Sequence, residues 1–246
     1  MNKNLNEATN RQVLKLQELC GKAIANAMPS ADEAQKLIGN PSALYEAIAK
    51  LFNKTPETKI ARDLKRTWTK IYGNWFGCKV DFAELIIPIF YDPAKHFAVI
   101  VAQGITMNEV VSSMRKKFNV RLYTEDLNLS VTTNDRIADK DYVIIFNKNI
   151  EADYNLRNIS ANKLAEMNIS GITLLERLLL EIYYFNNTKK HLDIKNWTLC
   201  SGSRDSDGNV PDVCWRTDDS NLYVDCDGVD NCNHRLRTRA VVSLAA

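Results

Sequence analysis

Five residues in the last fifth of the chain carry side chains suited to a metal ion: Cys200, Cys214, Cys226, Cys232 and His234, all within 35 positions. Zn²⁺ takes four such sulfur or imidazole ligands in a tetrahedron, so zinc is the cofactor this group would accept. The spacing argues the other way. There is no C-x-x-C pair, the tight turn that normally presents two thiolates together. Neighbouring strands could still bring Cys214 and Cys226 together. In the alternative reading Cys200 and Cys214 pack as small apolar residues and the chain has no cofactor. The stretches "DCDGVD" and "DSDGN" set carboxylates at alternate positions beside a glycine, which suits Ca²⁺ or Mg²⁺. However, Gly228 is fourth from Asp225 and Gly208 fourth from Asp205, whereas an EF-hand loop needs its glycine sixth. Asp-Gly is also hairpin-turn chemistry, and that is the preferred reading.

Two groups of cations have regular spacing. Arg235, Arg237 and Arg239 alternate, so on a strand their guanidiniums line one face. That row suits phosphates, carboxylates or an RNA backbone. Cross-strand pairing with neighbouring aspartates, including Asp225 and Asp212, is the preferred reading. In "KIARDLKRTWTKIY", Lys59, Arg62, Arg66 and Lys70 share one helical stripe, and Ile60, Leu64, Trp68 and Ile71 the opposite one. Six cations from Lys54 to Lys70 face only Glu57 and Asp63. Such a face could follow a nucleic-acid backbone. No base-reading motif accompanies it, and a solvated face is the plain alternative.

"LCSGSRDSDG" offers Cys200, Ser201 and Ser203 as nucleophiles, with His191 nine residues before Cys200. It is not the G-x-S-x-G elbow. Neither G-x-G-x-x-G nor the P-loop pattern occurs. No residue is therefore assigned a catalytic role. An enzyme or metal protein centred on the Cys200–His234 tail remains the alternative to a non-catalytic interaction module.

Several elements must position these side chains. Thr9, Ser30, Pro41 and Pro56 each open a predicted helix, and Pro29, Gly39 and Gly73 close three of them. They suggest a helical region over residues 1–73. "VDFAELIIPIF" and "HFAVIVA" predict two strands joined by a turn, and "VRLYT" and "YVIIF" two more. "EDLNLSVTTNDRIADKD" reads as a polar loop. Thr106 with Glu109 opens a helix through Phe118, and Thr173 with Glu176 a strongly apolar one through Phe185. "NWTLCSG", "VPDVCWR", "LYVDC" and "RLRTRAVVSL" predict an antiparallel meander.

The segment "GITLLERLLLEIYYFNNTKKHLDIKNWTLCSGSRDSDGNVPDVCW", with "EDLNLSVTTNDR" and "IEAD" upstream, resembles a family of uncharacterised bacterial proteins. The similarity spans about residues 105–243. It implies a bacterial source and no particular chemistry, so no functional residue is carried over from it.

The totals set the frame. The chain has 246 residues, 45% hydrophobic and 25% charged, with a formal charge of only +2. The length supports a sizeable core, and net charge alone names no partner. No apolar run approaches the ~20 residues that cross a bilayer, and the start is polar, so no membrane partner and a cytoplasmic address are expected. The expected architecture is α+β: a helical region over 1–73, then a mixed α/β core over 74–246 that ends in the meander. The leading expectation for function is an intracellular module that contacts another protein or nucleic acid.

Overall fold

The computed structural model describes residues 58–242 continuously and, before them, residues 15, 17–22, 26, 30, 32 and 35. The chain divides into two compact units, residues 1–41 and 42–246. In the first, residues 17–22 are helical and Glu18 pairs with Lys15 and Lys22 at 2.7 and 2.6 Å. The caps and most of the residues of the first three predicted helices lie outside the described residues.

In the second unit, helix α1 (Lys59–Ile71) begins at Thr58, whose hydroxyl accepts the Ala61 N–H. Ala61, Leu64, Trp68 and Ile71 are buried, whereas Ile60 lies outside the stripe, 45% exposed. A π-helical turn (Tyr72–Phe76) follows. This helix, expected to end the helical region, packs on the α/β core. Trp68 Nε1 donates to the Ala98 carbonyl at 2.9 Å, and the Tyr72 hydroxyl donates to Ile100 O and accepts from Ala102 N.

Those bonds explain one departure from the sequence reading. Among the described residues strand β1 (His96–Val101) pairs, antiparallel, with β4 (Tyr142–Asn147) alone. Its second edge is covered by the side chains of α1 and the π turn, not by a strand at residues 80–90. Pro88 lacks the N–H a ladder needs, and turns at Phe82–Leu85 and Pro88–Tyr91 replace the strand. The apolar residues there still serve the core, with Phe82 buried and Val80, Leu85, Ile87 and Phe90 packed against it.

Helix α2 (Met107–Met114) carries the predicted capping box, Thr106 with Glu109. It ends a turn earlier than Phe118, which stands half-buried before strand β2 (Asn119–Leu122). The predicted polar loop contains a short helix α3 (Leu127–Ser130) and strand β3 (Val131–Asn134). After a short helix α4 (Ala161–Glu166) comes α5 (Leu174–Thr188), with the Thr173–Glu176 capping box. Its first nine residues are all buried, so it has no solvent face there. It touches both β1 and strand β7 (Val210–Arg216).

The fold class is α+β. The remaining strands are β5 (Trp197–Leu199), β6 (Ser203–Asp205), β8 (Asn221–Asp227) and β9 (Leu236–Arg237). Strands β5, β7 and β8 form the antiparallel centre of the expected meander. The whole sheet is mixed, in the order β2-β8-β7-β5-β9, because both edge strands run parallel to their neighbours. Strand β6 leaves it to pair with β3. Beyond β9 the chain makes single bridges to Gly171 and Phe146, which draws residues 238–241 into the interior. Among the described residues no helix is long and apolar enough to cross a membrane.

Candidate nucleic-acid interface

Burying nine consecutive residues of α5 forces its charged members to find partners inside. Glu176, Arg177 and Glu181 are all fully buried. An unpaired buried charge costs several kcal/mol, so each must be matched. Glu176 completes its capping box and also takes Arg136 at 2.6 Å and the Tyr142 hydroxyl at 3.0 Å. Arg177 reaches Glu181 one turn on, at 2.8 Å, and Asp193 at 2.8 Å. Arg239 pairs with the other oxygen of Asp193 at 2.7 Å and donates to the Asn149 and Ile150 carbonyls. Three guanidiniums thus meet three carboxylates. The second oxygen of Glu181 holds His191 Nδ1 at 2.9 Å.

His191 carries this buried network to the surface. Its ring lies flat on Trp215, 3.3 Å between centres. Phe118 meets it edge-on and Phe185 packs beside it, at 4.9 and 5.0 Å. Trp75 meets Phe118 and Phe185 from the core side. Phe118, Phe185, His191 and Trp215 are each half-buried.

Cations flank this pole on both faces of the sheet, Trp215 and Leu222 sharing one face and Arg121, Arg216 and Tyr223 the other. Arg115, Lys116 and Lys117 are exposed in the turn after α2, Arg121 on β2, and Lys189 and Lys190 after α5. Lys189 lies over the Phe185 ring at 5.5 Å. Arg216, at the end of β7, lies 3.9 Å from the Tyr223 ring centre, and Arg121 5.9 Å. Opposing them are Asp218 and Asp219 in the β7–β8 turn, with Asp219 engaged by the Tyr223 hydroxyl, which holds its carboxyl below the usual range. An open groove of about 590 Å³ runs through this pole, lined by Arg115, Phe118, Asn119, Val120, Arg121, Asp219 and Asn221. The elements come together because β2 and β8 run parallel from Asn119 opposite Asn221, and Arg216 stands opposite Asn221. No sequence spacing announces the pole, since its parts come from four distant segments. The run "RKKF" beside the start of β2 was its one local signal.

The residues singled out from sequence divide. Lys59, Arg62, Arg66 and Lys70 are exposed on one side of α1, with Arg66 paired to Asp63 at 3.2 Å. The row Arg235, Arg237, Arg239 is not one surface: Arg235 is exposed, Arg237 half-buried and Arg239 buried in the ion network. The regular strand stops at Arg237, so alternation no longer sets the direction of Arg239. Their expected pairing with Asp225 and Asp212 is not what the structure has. Arg239 pairs with Asp193 instead.

The tail thiols do not converge. Cys200 and Cys214 are buried, Cys226 is half-buried and Cys232 and His234 are exposed. On the β7–β8 ladder Cys214 faces Tyr223 and Cys226 faces Pro211, so the two thiols are not opposite each other. Among the described residues no three His, Cys, Asp or Glu side chains are grouped to hold a metal ion. Burial raises the thiol of Cys200 well above its ordinary range and those of Cys214 and Cys226 to about 11. Such thiols stay protonated and are poor nucleophiles. In the "CSGS" loop, Ser201 bonds Thr238, and Ser203 donates to Asn134 and accepts the Leu174 N–H at the start of α5. A side chain at Gly171 would sit 1.8 Å from the Ser201 oxygen, so the loop is a packing joint. No family model matches this chain, and no curated protein or solved structure compared with it matches either.

Proposed function

We propose that this protein is a non-catalytic module that binds single-stranded nucleic acid at the pole around Trp215. One observation carries the reading: five exposed cations, Arg115, Lys116, Lys117, Lys189 and Lys190, flank a half-buried aromatic cluster, beside an open groove that Phe118 and Arg121 line. Cations track a phosphate backbone, while rings accept bases of any sequence, at about 1–3 kcal/mol per stacked base. The thiols of Cys200 and Cys214 are buried and the hydroxyls of Ser201 and Ser203 are hydrogen-bonded, which supports a binding role over a catalytic one. All six cysteines are unpaired, which suits a reducing compartment, and the cytoplasm is the one we propose.

Anisotropy titrations with a labelled oligonucleotide, at several salt concentrations, test this. Binding is expected to weaken linearly in log salt, by about 0.7 per phosphate contacted on a single strand. The K116E/R121E variant should lower affinity by about tenfold or more, while R62E/K70E on α1 changes it little. No detectable binding at low salt would refute the proposal. So would a loss confined to the α1 variant, or a duplex that competes as well as the single strand.

A further inference from the structure

Away from the aromatic pole, two arginines are held together with nothing to balance them. Arg157 and Arg237 stand directly opposite each other in an isolated antiparallel bridge. Their side chains therefore leave on the same side, where like charges are unfavourable. Both guanidiniums settle on one ring: the Tyr154 centre is 4.2 Å from Arg157 and 5.3 Å from Arg237. Among the described residues neither has a carboxylate partner. Arg239, two residues beyond Arg237 and drawn inward, is matched by Asp193. The Nε of Arg237 is buried and finds no acceptor. Arg157 gives only a 3.4 Å bond to the Tyr154 carbonyl. Arg235, two residues before the half-buried Arg237, adds a third cation and is exposed. Tyr154 itself is 65% exposed, so the ring and the outer edge of Arg157 are open to solvent.

We propose that Arg157, Arg237 and Tyr154 form a binding site for a phosphate monoester. The site holds two uncompensated guanidinium charges, and a monoester at neutral pH carries −1.5 to −2. A guanidinium edge presents two N–H groups in the spacing of two phosphate oxygens, and ring stacking fixes the planes before the ligand arrives. A carboxylate or a phosphodiester carries only one charge and leaves the pair half-matched. The site does not depend on the pole at Trp215.

The test follows the Nε–Hε resonances of Arg157 and Arg237 at constant ionic strength and pH 7.5, reading in each variant the arginine that remains. The protein is titrated with inorganic phosphate, phosphoserine, dimethyl phosphate and acetate. A saturable shift with phosphate and phosphoserine is expected, at least about tenfold weaker in R157A and in R237K, where a point charge replaces the fork. The R121E variant, altered at the pole, should titrate like the unaltered protein. Absence of a saturable shift with phosphate overturns the site. Equal saturation by acetate or dimethyl phosphate overturns the monoester assignment, and an unchanged response in R237K overturns the role of the fork.

Discussion

His191 lies parallel to Trp215 within 1°, while its Nδ1 is held 2.9 Å from a fully buried Glu181. One residue thus joins an exposed aromatic pole to the ion pairs of the core. Behind Glu181 stand Arg177, Asp193 and Arg239, each bonded to the next. The surface ring is therefore as fixed as the charges beneath it, which reduces the ordering cost of binding a ligand there.

Replacing His191 with Phe keeps a ring on Trp215 and removes the partner of a buried carboxylate oxygen. The expected loss is about 1–3 kcal/mol, that of an unsatisfied buried acceptor. H191A should lose a further 0.5–1.5 kcal/mol or so, the worth of the aromatic pair. Urea unfolding of the two variants separates the terms, and equal stability of H191F and the parent would show that the Glu181 bond contributes nothing.

Asp193 has a positive φ of 53°. Asn tolerates that backbone region well, so D193N removes charge with little strain. It leaves Arg177 with one carboxylate and Arg239 with none. The expected cost is about 3–5 kcal/mol, as for a buried pair broken from one side. A thermal midpoint within a degree or two of the parent would contradict the charge matching described here.

Asp212 predicts a pH effect of unusual sign. It is buried, 4% exposed, and burial together with Asp227 and Asp225 raises its carboxyl to about 8 from an ordinary 3.8, against a smaller lowering by Arg216. Below pH 3.8 folded and unfolded chains are both protonated there. Between pH 4 and 8 only the folded chain keeps the proton, so stability falls as pH rises, by at most about 1.4 kcal/mol per unit. D212N should flatten this slope and be more stable than the parent at pH 8, by on the order of 2 kcal/mol. Denaturant midpoints from pH 5 to 8 check it, and parallel curves for the two proteins would reject it.

Thiol labelling under native conditions should split the cysteines. Cys78 and Cys232 are exposed and should react at once; Cys200 and Cys214 are buried and should react only on unfolding. Mass spectrometry of labelled peptides reads the order. Fast labelling of Cys200 would mean that the "CSGS" joint opens.

Helices marked by capping boxes were the most legible part of the chain. Thr106–Glu109 and Thr173–Glu176 each predicted a helix start that the structure has, because that signal is local and chemical. Strand β1 was legible as an apolar run, but its partner was not. Periodicity shows that a strand is buried, not what hydrogen-bonds its edge, and here two aromatic side chains did so. Strand β3 escaped notice because three of its four residues are polar and its burial pattern carries no alternation. The basic stripe of α1 was read correctly as exposed. The pole was invisible because Phe118, Phe185, His191 and Trp215 are brought together only by the packing of α5 between two sheets. Arg239 was misread as part of a surface row because alternation assumes a strand that had already ended.

The cover that Trp68 and Tyr72 place on β1 fixes where this protein can be shortened. A chain beginning at Gly77 would keep every strand among the described residues yet bare the carbonyls of Ala98 and Ile100 along an apolar rim. Open rims of that kind recruit extended segments of neighbouring molecules. Such a fragment is expected to clump in concentrated solution, whereas one beginning at Thr58 retains its shield.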